Sequence, residues 1–338
     1  MNGKEILQRL TCGETLGTSA ARDLFNQIMD GAIPTELLCG ILAAFATRGE
    51  TVDELVGAAL AMRQRVVPVR VSPSVNAIDT CGTGGDGKPT FNVSSAVAIV
   101  AAAAGATVAK HGNRSQARPS GSSEGLSALG IRSDVPVAKL EECLATCRVA
   151  FLFAPALHPA MRHAAPARQA LGVRTIFNLV GPLTNPAGVR RQLLGVPRVE
   201  LVPKMAEALC RLGVDRAMVV SGVCGLCDLS LEGPTHIARI SGDEIVYEEV
   251  HCTIAGINPA KLDHIFVRSA AQSAEMIRSI LAGEAGPPRD MVLLNAAAAL
   301  QVAEIASDWQ DGAARAREAI DSGRAAQTLE EWIAITRG

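Results

Sequence analysis

Apolar positions in the first seventy residues recur at helical spacing. Ile6, Leu7 and Leu10 share one face of a first helix. A second begins near Ser19, carries Leu24, Ile28 and Met29, and stops at Gly31. A third runs from about Thr35 to Arg48 with apolar residues nearly all the way round, which predicts burial among other helices. Thr51-Val52-Asp53-Glu54 is a capping-box pattern that opens a fourth. Pro68 and Pro73 then punctuate a linker.

The pattern changes at Asn76, where short apolar strands begin to alternate with helices. Ala77-Ile78-Asp79 leads into a glycine-rich loop, a helix follows over 93–104, and 106–109 reads as the next strand. Helix 136–147 precedes strand 149–153, and helix 200–212 precedes strand 217–220. This alternation predicts an α/β fold with a mainly parallel central sheet and helices on both faces. The last sixty residues return to helix. Residues 158–175 read as helical, and Pro182 and Pro186 break the chain after them. The expected organisation is a small helical domain over 1–72 and a larger α/β domain over 73–157 and 189–338. Segment 158–188 either packs back onto the helical domain or simply covers the sheet.

Composition narrows the function classes. Of 338 residues, 48% are hydrophobic and 20% charged, which supports a large core and excludes disorder as the main state. Aromatics are only 3%, so aliphatic side chains and alanine must fill that core. Lys and Arg total 32 against 34 Asp and Glu, a net charge of −2, which argues against binding nucleic acid through overall charge. No apolar run approaches the roughly 18 residues of a membrane-spanning helix, so no membrane association is expected. The opening Met-Asn-Gly-Lys-Glu-Ile does not resemble a signal peptide. Nine scattered cysteines read as reduced thiols of a cytoplasmic protein. Cys224-x-x-Cys227 is the only CxxC, and no second pair completes a zinc set.

Three stretches carry candidate chemistry. Cys81-Gly82-Thr83-Gly84-Gly85-Asp86-Gly87 contains GxGxxG, but no helix opens at the loop and no acidic residue follows at the ribose-binding distance. A dinucleotide site is therefore rejected. The glycines can instead let backbone N–H groups converge on phosphate, and Asn92-Val93-Ser94-Ser95 can cap the next helix and share its positive end with an anion. The plainer reading is a tight turn and an ordinary cap. Lys110-His111-Gly112-Asn113-Arg114 ends the next strand, where open α/β sheets bind ligands; the plainer reading is a solvated basic loop. The third stretch is His158-Pro159-Ala160-Met161, then Arg168 and Arg174, then Phe177 to Pro186. Arg168 is either a surface arginine or a bidentate partner for a carboxylate.

Taken together, these motifs resemble the anthranilate phosphoribosyltransferase family over nearly the whole chain. The likeness rests on Gly82–Gly87, Thr90-Phe91-Asn92-Val93-Ser94, Lys110–Arg114, His158–Met161, Gly172–Asn178, Gly181–Pro186 and the run from Arg289 to Ala299. It implies a helical domain hinged to an α/β domain, an active site between them and a homodimer through the helical domain. The implied reaction moves phosphoribose from phosphoribosyl pyrophosphate (PRPP) to the amine of anthranilate with Mg²⁺, in tryptophan biosynthesis. By the same likeness Gly82, Gly84, Gly85, Asp86, Thr90, Asn92, Ser94, Lys110 and Ser122 bind the donor. Gly82, His111, Asn113, His158, Arg168, Gly181 and Pro182 line the acceptor site. Lys110, His111 and Arg168 are the catalytic candidates, with His111 an optional base, and Ser94 and Asp228 are the metal candidates.

Two departures from the family pattern stand out. Gln116-Ala117-Arg118-Pro119 replaces a run of small hydroxyl residues, so Arg118 either contacts phosphate or blocks the site. Cys227-Asp228 replaces adjacent Asp-Glu, and a thiol is a poor ligand for hard Mg²⁺, which weakens a second metal site. Competing readings are transfer to another aromatic acceptor, a nucleoside phosphorylase, and an impaired paralogue that binds phosphates or nucleic acid.

Overall fold

A computed structural model describes residues 1–72, 74–114 and 120–338. Gln116–Pro119, and with them the first departure, lie outside the described residues. Four helices open the chain: α1 (Gly3–Thr11), α2 (Thr18–Met29), α3 (Thr35–Arg48) and α4 (Val52–Arg63). The capping box at Thr51 is formed, with Glu54 bonding back to the Thr51 N–H.

The α/β region alternates as its pattern predicts. β1 (Ala77–Gly82), α5 (Val93–Ala103), β2 (Thr107–Gly112), α6 (Ser122–Leu129), α7 (Val137–Thr146) and β3 (Val149–Phe153) come first. After α8 (Ala154–Leu157), α9 (Ala165–Leu171) and α10 (Ile176–Val180) come β4 (Arg191–Gly195), α11 (Leu201–Arg211) and β5 (Arg216–Gly222). β6 (Thr235–Ser241) and β7 (Glu244–Val250) form a hairpin, and α12 (Ala270–Leu281), α13 (Pro287–Val302), α14 (Trp309–Asp321) and α15 (Arg324–Arg337) finish the chain.

The strands form one sheet in the order β3-β2-β1-β4-β5-β6-β7, parallel from β3 to β5 and antiparallel at β6 and β7. The chain winds from β1 out to β3 and returns to place β4 on the other side of β1. The carboxyl ends of β1 and β4 therefore meet at a topological switch point, where such sheets bind ligands. No helix among the described residues is long and apolar enough to cross a membrane.

Strand alternation divides the core. Leu193, Met218, Val220 and Ile237 face a cluster with α5, α13, α14 and α15. Leu194, Ala217, Val219, Ala238 and Ile240 face the opposite way, into a cluster with α11 and the four N-terminal helices. Ala164, Ala167, Ile176, Phe177 and Leu183 join this second cluster, and Phe177 packs edge-on against Phe25 at 5.5 Å. Segment 158–175 is not one helix. Pro159 opens a 3₁₀ turn, Pro166 restarts an α-helix at its first turn, and Gly172 ends that helix in a left-handed conformation.

Candidate active site

The glycine-rich loop leaves β1 at the switch point. Gly82 lies against Gly195 of β4, and the Thr83 N–H donates to the Gly195 carbonyl at 2.9 Å. Gly84, Gly85 and Gly87 take left-handed conformations, which turn the chain sharply and expose its amides. The loop's return is anchored: the Phe91 N–H donates to the Ile265 carbonyl, and the Val267 N–H to the Pro89 carbonyl. Between them Thr90 is buried, and its hydroxyl has no hydrogen-bond partner among the described residues.

Asn92 does not cap α5, contrary to expectation. Its side chain makes no cap bond and instead accepts from the Ser120 and Ser273 hydroxyls at 2.6 and 2.7 Å. That tie brings the starts of α5 and α6 together. The residue before α6, Gly121, supplies no side-chain cap either. Two helix N-termini thus keep amides and partial positive charge for an outside anion. Ser122, the first residue of α6, is half-buried beside Gly112.

Lys110 is fully buried beneath α5, donating to the Thr80 carbonyl at 2.9 Å and the Ser94 hydroxyl at 3.0 Å. Burial pulls its pKa down, while the charges of Asp79, Cys81 and Asp228 push it up. Asp79 was not singled out from the sequence, although an acid inside an apolar strand is itself a signal. It is fully buried, accepts from the His111 N–H at 3.0 Å and from Asn185 Nδ2 at 2.8 Å, and burial raises its pKa. Asn185 also donates to the Ala109 carbonyl, locking this corner.

His111 and His158 face each other, Nε2 to Nε2, at 3.1 Å. The Gly181 backbone also faces the His111 ring and favours its protonation. Burial lowers His111 to about 3, helped by His158 and Lys110, and lowers His158 to about 4. At these values both rings are neutral near neutral pH, and the Nε2 atom of each is already engaged by the other. Pro182 closes the same wall and is held through its carbonyl by Gln192. Asn113 sits exposed at the end of β2, its side-chain oxygen accepting the Arg114 N–H.

Arg168 lies over the Phe177 ring, its guanidinium 5.5 Å from the centroid. It is half-buried, and burial lowers its pKa. No carboxylate among the described residues pairs with it. Arg174, noted in the sequence only in passing, donates to the Gly84 carbonyl at 2.7 Å.

The loop carrying Cys227 and Asp228 closes the corner from the β5 side. Asn295 grips it, accepting the Leu229 N–H and donating to the Leu229 carbonyl. Asp86 accepts the Cys227 N–H at 3.2 Å. Thr80, Ser94 and Asp228 line a cavity of about 10 Å³, room for roughly one water. No group of three or more His, Cys, Asp or Glu among the described residues is placed to hold a metal. The donor set nevertheless fits Mg²⁺, which typically takes one or two carboxylates, keeps several waters and shares its substrate's phosphates.

Residues 4–66 match the helical bundle domain of a glycosyl transferase family, and residues 74–326 match that family's a/b domain. The chain is 47% identical to anthranilate phosphoribosyltransferase of Novosphingobium aromaticivorans, over 94% of this chain and 96% of that one. The chain belongs to the anthranilate phosphoribosyltransferase family. The enzyme of Parvibaculum lavamentivorans is 45% identical over 99% of this chain and 98% of its own. Among solved structures, the Thermus thermophilus anthranilate phosphoribosyltransferase superposes with a TM-score of 0.92 at 38% identity, covering 98% and 99% of the two chains. The Saccharomyces cerevisiae enzyme in complex with PRPP and Mg superposes with a TM-score of 0.90 at 25% identity, covering 99% and 98%.

Proposed function

We propose that this protein transfers the phosphoribosyl group of PRPP to the amine of anthranilate and releases pyrophosphate, a step of tryptophan biosynthesis. The amine nitrogen bonds to ribose C1 as the C1–O bond to pyrophosphate breaks. The electron pair leaves with pyrophosphate, and the amine proton passes to solvent or to the leaving group. Positive charge grows on the ribose and negative charge on the leaving oxygens.

The observation that carries this reading is the continuity between Lys110 and Arg168. Lys110 holds the Thr80 carbonyl before the glycine-rich loop and the Ser94 hydroxyl after it, and the ring of the next residue, His111, faces the Gly181 backbone. Gly181 directly follows the helix whose Phe177 carries the Arg168 guanidinium. A cation for a polyanion and a cation for an aromatic carboxylate thus stand at two ends of one rigid wall. Gly84, Gly85 and the amides at Ser94 and Ser122 bind pyrophosphate and phosphate oxygens, and fixed donors of this kind stabilise the charge that develops on them. Asn92 ties the loop's return to Ser120 and Ser273, and the unpartnered Thr90 hydroxyl is left to meet a phosphate oxygen. Arg168 takes the anthranilate carboxylate, while His111, His158, Asn113, Gly82 and Pro182 confine the ring. No covalent nucleophile is needed; placement of the amine over C1 supplies much of the rate.

Asp228 and Ser94 would hold Mg²⁺ at the small cavity they line. A bound Mg²⁺ would supply positive charge for the leaving pyrophosphate. With Cys227 where a second carboxylate is common, a second ion would be held more weakly. The protein acts in the cytoplasm as a homodimer through its helical domain, with no nucleic-acid partner.

The test is direct. Anthranilate fluorescence falls when protein, PRPP and Mg²⁺ are mixed. No loss at high protein concentration rejects the proposal.

A further inference from the structure

Arg174 lies outside every role given so far. It follows Gly172, the left-handed end of α9, and precedes Thr175, the N-cap of α10. Its segment therefore links the helix of Arg168 to the helix of Phe177. Yet its side chain reaches across to the donor loop. Nη1 donates to the Gly84 carbonyl at 2.7 Å. A Cβ added at the neighbouring Gly85 would lie 1.6 Å from Nη1 and 2.6 Å from Cζ. The guanidinium thus occupies the space that any side chain at 85 would need.

Charge and shape agree with this placement. Burial lowers the Arg174 pKa and Arg198 adds to that, while Cys227, Glu50 and Asp86 favour the guanidinium charge. Arg174 also lines a cleft of about 590 Å³ between the end of α3 and the donor loop, together with Glu50, Asp86, Lys88 and Arg198. A carbonyl pinned on one side of a peptide turns the loop's amides to the other, so fixing the Gly84 carbonyl fixes the amides that face the anion.

We infer that Arg174 is a positioning residue that latches the glycine-rich loop from the acceptor-side segment and sets its amides for the pyrophosphate of the donor. The inference rests on the transferase reading above. Arg174 touches no reacting atom. It acts through Gly84, and Gly85 is glycine partly because the guanidinium needs its space.

Steady-state kinetics, PRPP binding by calorimetry and thermal melting of the full chain test this. Arg174→Ala is expected to raise both KM and Kd for PRPP at least tenfold while the anthranilate KM stays within twofold. Arg174→Lys, which keeps a donor and a charge, recovers part of the loss and guards against failure of the alanine variant to fold. Gly85→Ala raises the PRPP KM by displacing the guanidinium, and it costs a smaller factor in the Arg174→Ala background, where that clash is gone. A PRPP KM within twofold of wild type in Arg174→Ala overturns the latch. So does a Gly85→Ala penalty of equal size with and without Arg174. Wild-type protein that neither binds PRPP nor consumes anthranilate overturns the transferase reading itself.

Discussion

Lys110 Nζ bonds at once to the Thr80 carbonyl at the end of β1 and to the Ser94 hydroxyl in the first turn of α5. One ammonium therefore braces both walls of the donor loop from below. Lys110→Met keeps the length and apolar stem but removes the charge. It is expected to lower kcat/KM by about 10²–10³-fold, the usual cost of removing one preorganised donor at a site of developing charge. Initial rates at saturating anthranilate measure this. A change under threefold places the charge elsewhere.

Arg168→Ala should act on the other substrate. Hydrogen bonds to charged groups contribute about 1.5–3 kcal/mol, so the anthranilate KM rises roughly 10- to 150-fold with the PRPP KM unchanged. An unchanged anthranilate KM shows that the guanidinium serves another partner.

Stability should fall as acid is added. His111 and His158 have folded-state pKa values near 3 and 4, below the ordinary histidine value of 6.5. Between these limits the unfolded chain binds more protons, so unfolding is favoured as pH drops from about 6.5 toward 4. Buried Asp79, whose pKa is raised, contributes with the opposite sign. His158→Gln isolates the pair: it removes one titrating group and flattens the slope of denaturant-derived stability between pH 6.5 and 4. An unaltered slope means that the acid sensitivity arises elsewhere.

Cys227→Asp places a second carboxylate beside Asp228. The Mg²⁺ concentration giving half-maximal activity should fall several-fold. An identical Mg²⁺ titration separates this position from the metal.

Gly195→Ala should fail for a steric reason. Its Cβ would sit 1.6 Å from the Cys227 carbonyl oxygen, a backbone atom with no rotamer to escape into. A loss of about 3 kcal/mol or more is expected, read from chemical denaturation.

The glycine-rich turn after β1, the end of β2 at Lys110 and the strand-helix alternation are legible because each is written locally, in consecutive residues. What escaped is long-range. Asn92 turned from its helix to Ser273, 181 residues on, because two buried hydroxyls outcompete one cap bond. Asn295 lies inside an alanine-rich helix, and nothing in its local sequence marks its grip on Leu229, 66 residues back. The β6–β7 hairpin was also passed over. Its Gly242-Asp243 turn between alternating residues was a readable signal, but the acids of the exposed β7 masked the strand. The bends in 158–175 are written in Pro159, Pro166 and Gly172, each of which starts or stops a turn of helix.

The second apolar cluster runs without interruption from α1–α4 into one side of the sheet. Classification by sequence cuts the chain near residue 66, but cohesion does not. A fragment ending there would lose the Phe177 ring that packs on Phe25 and the rest of that shared cluster, so the N-terminal quarter is a poor autonomous module.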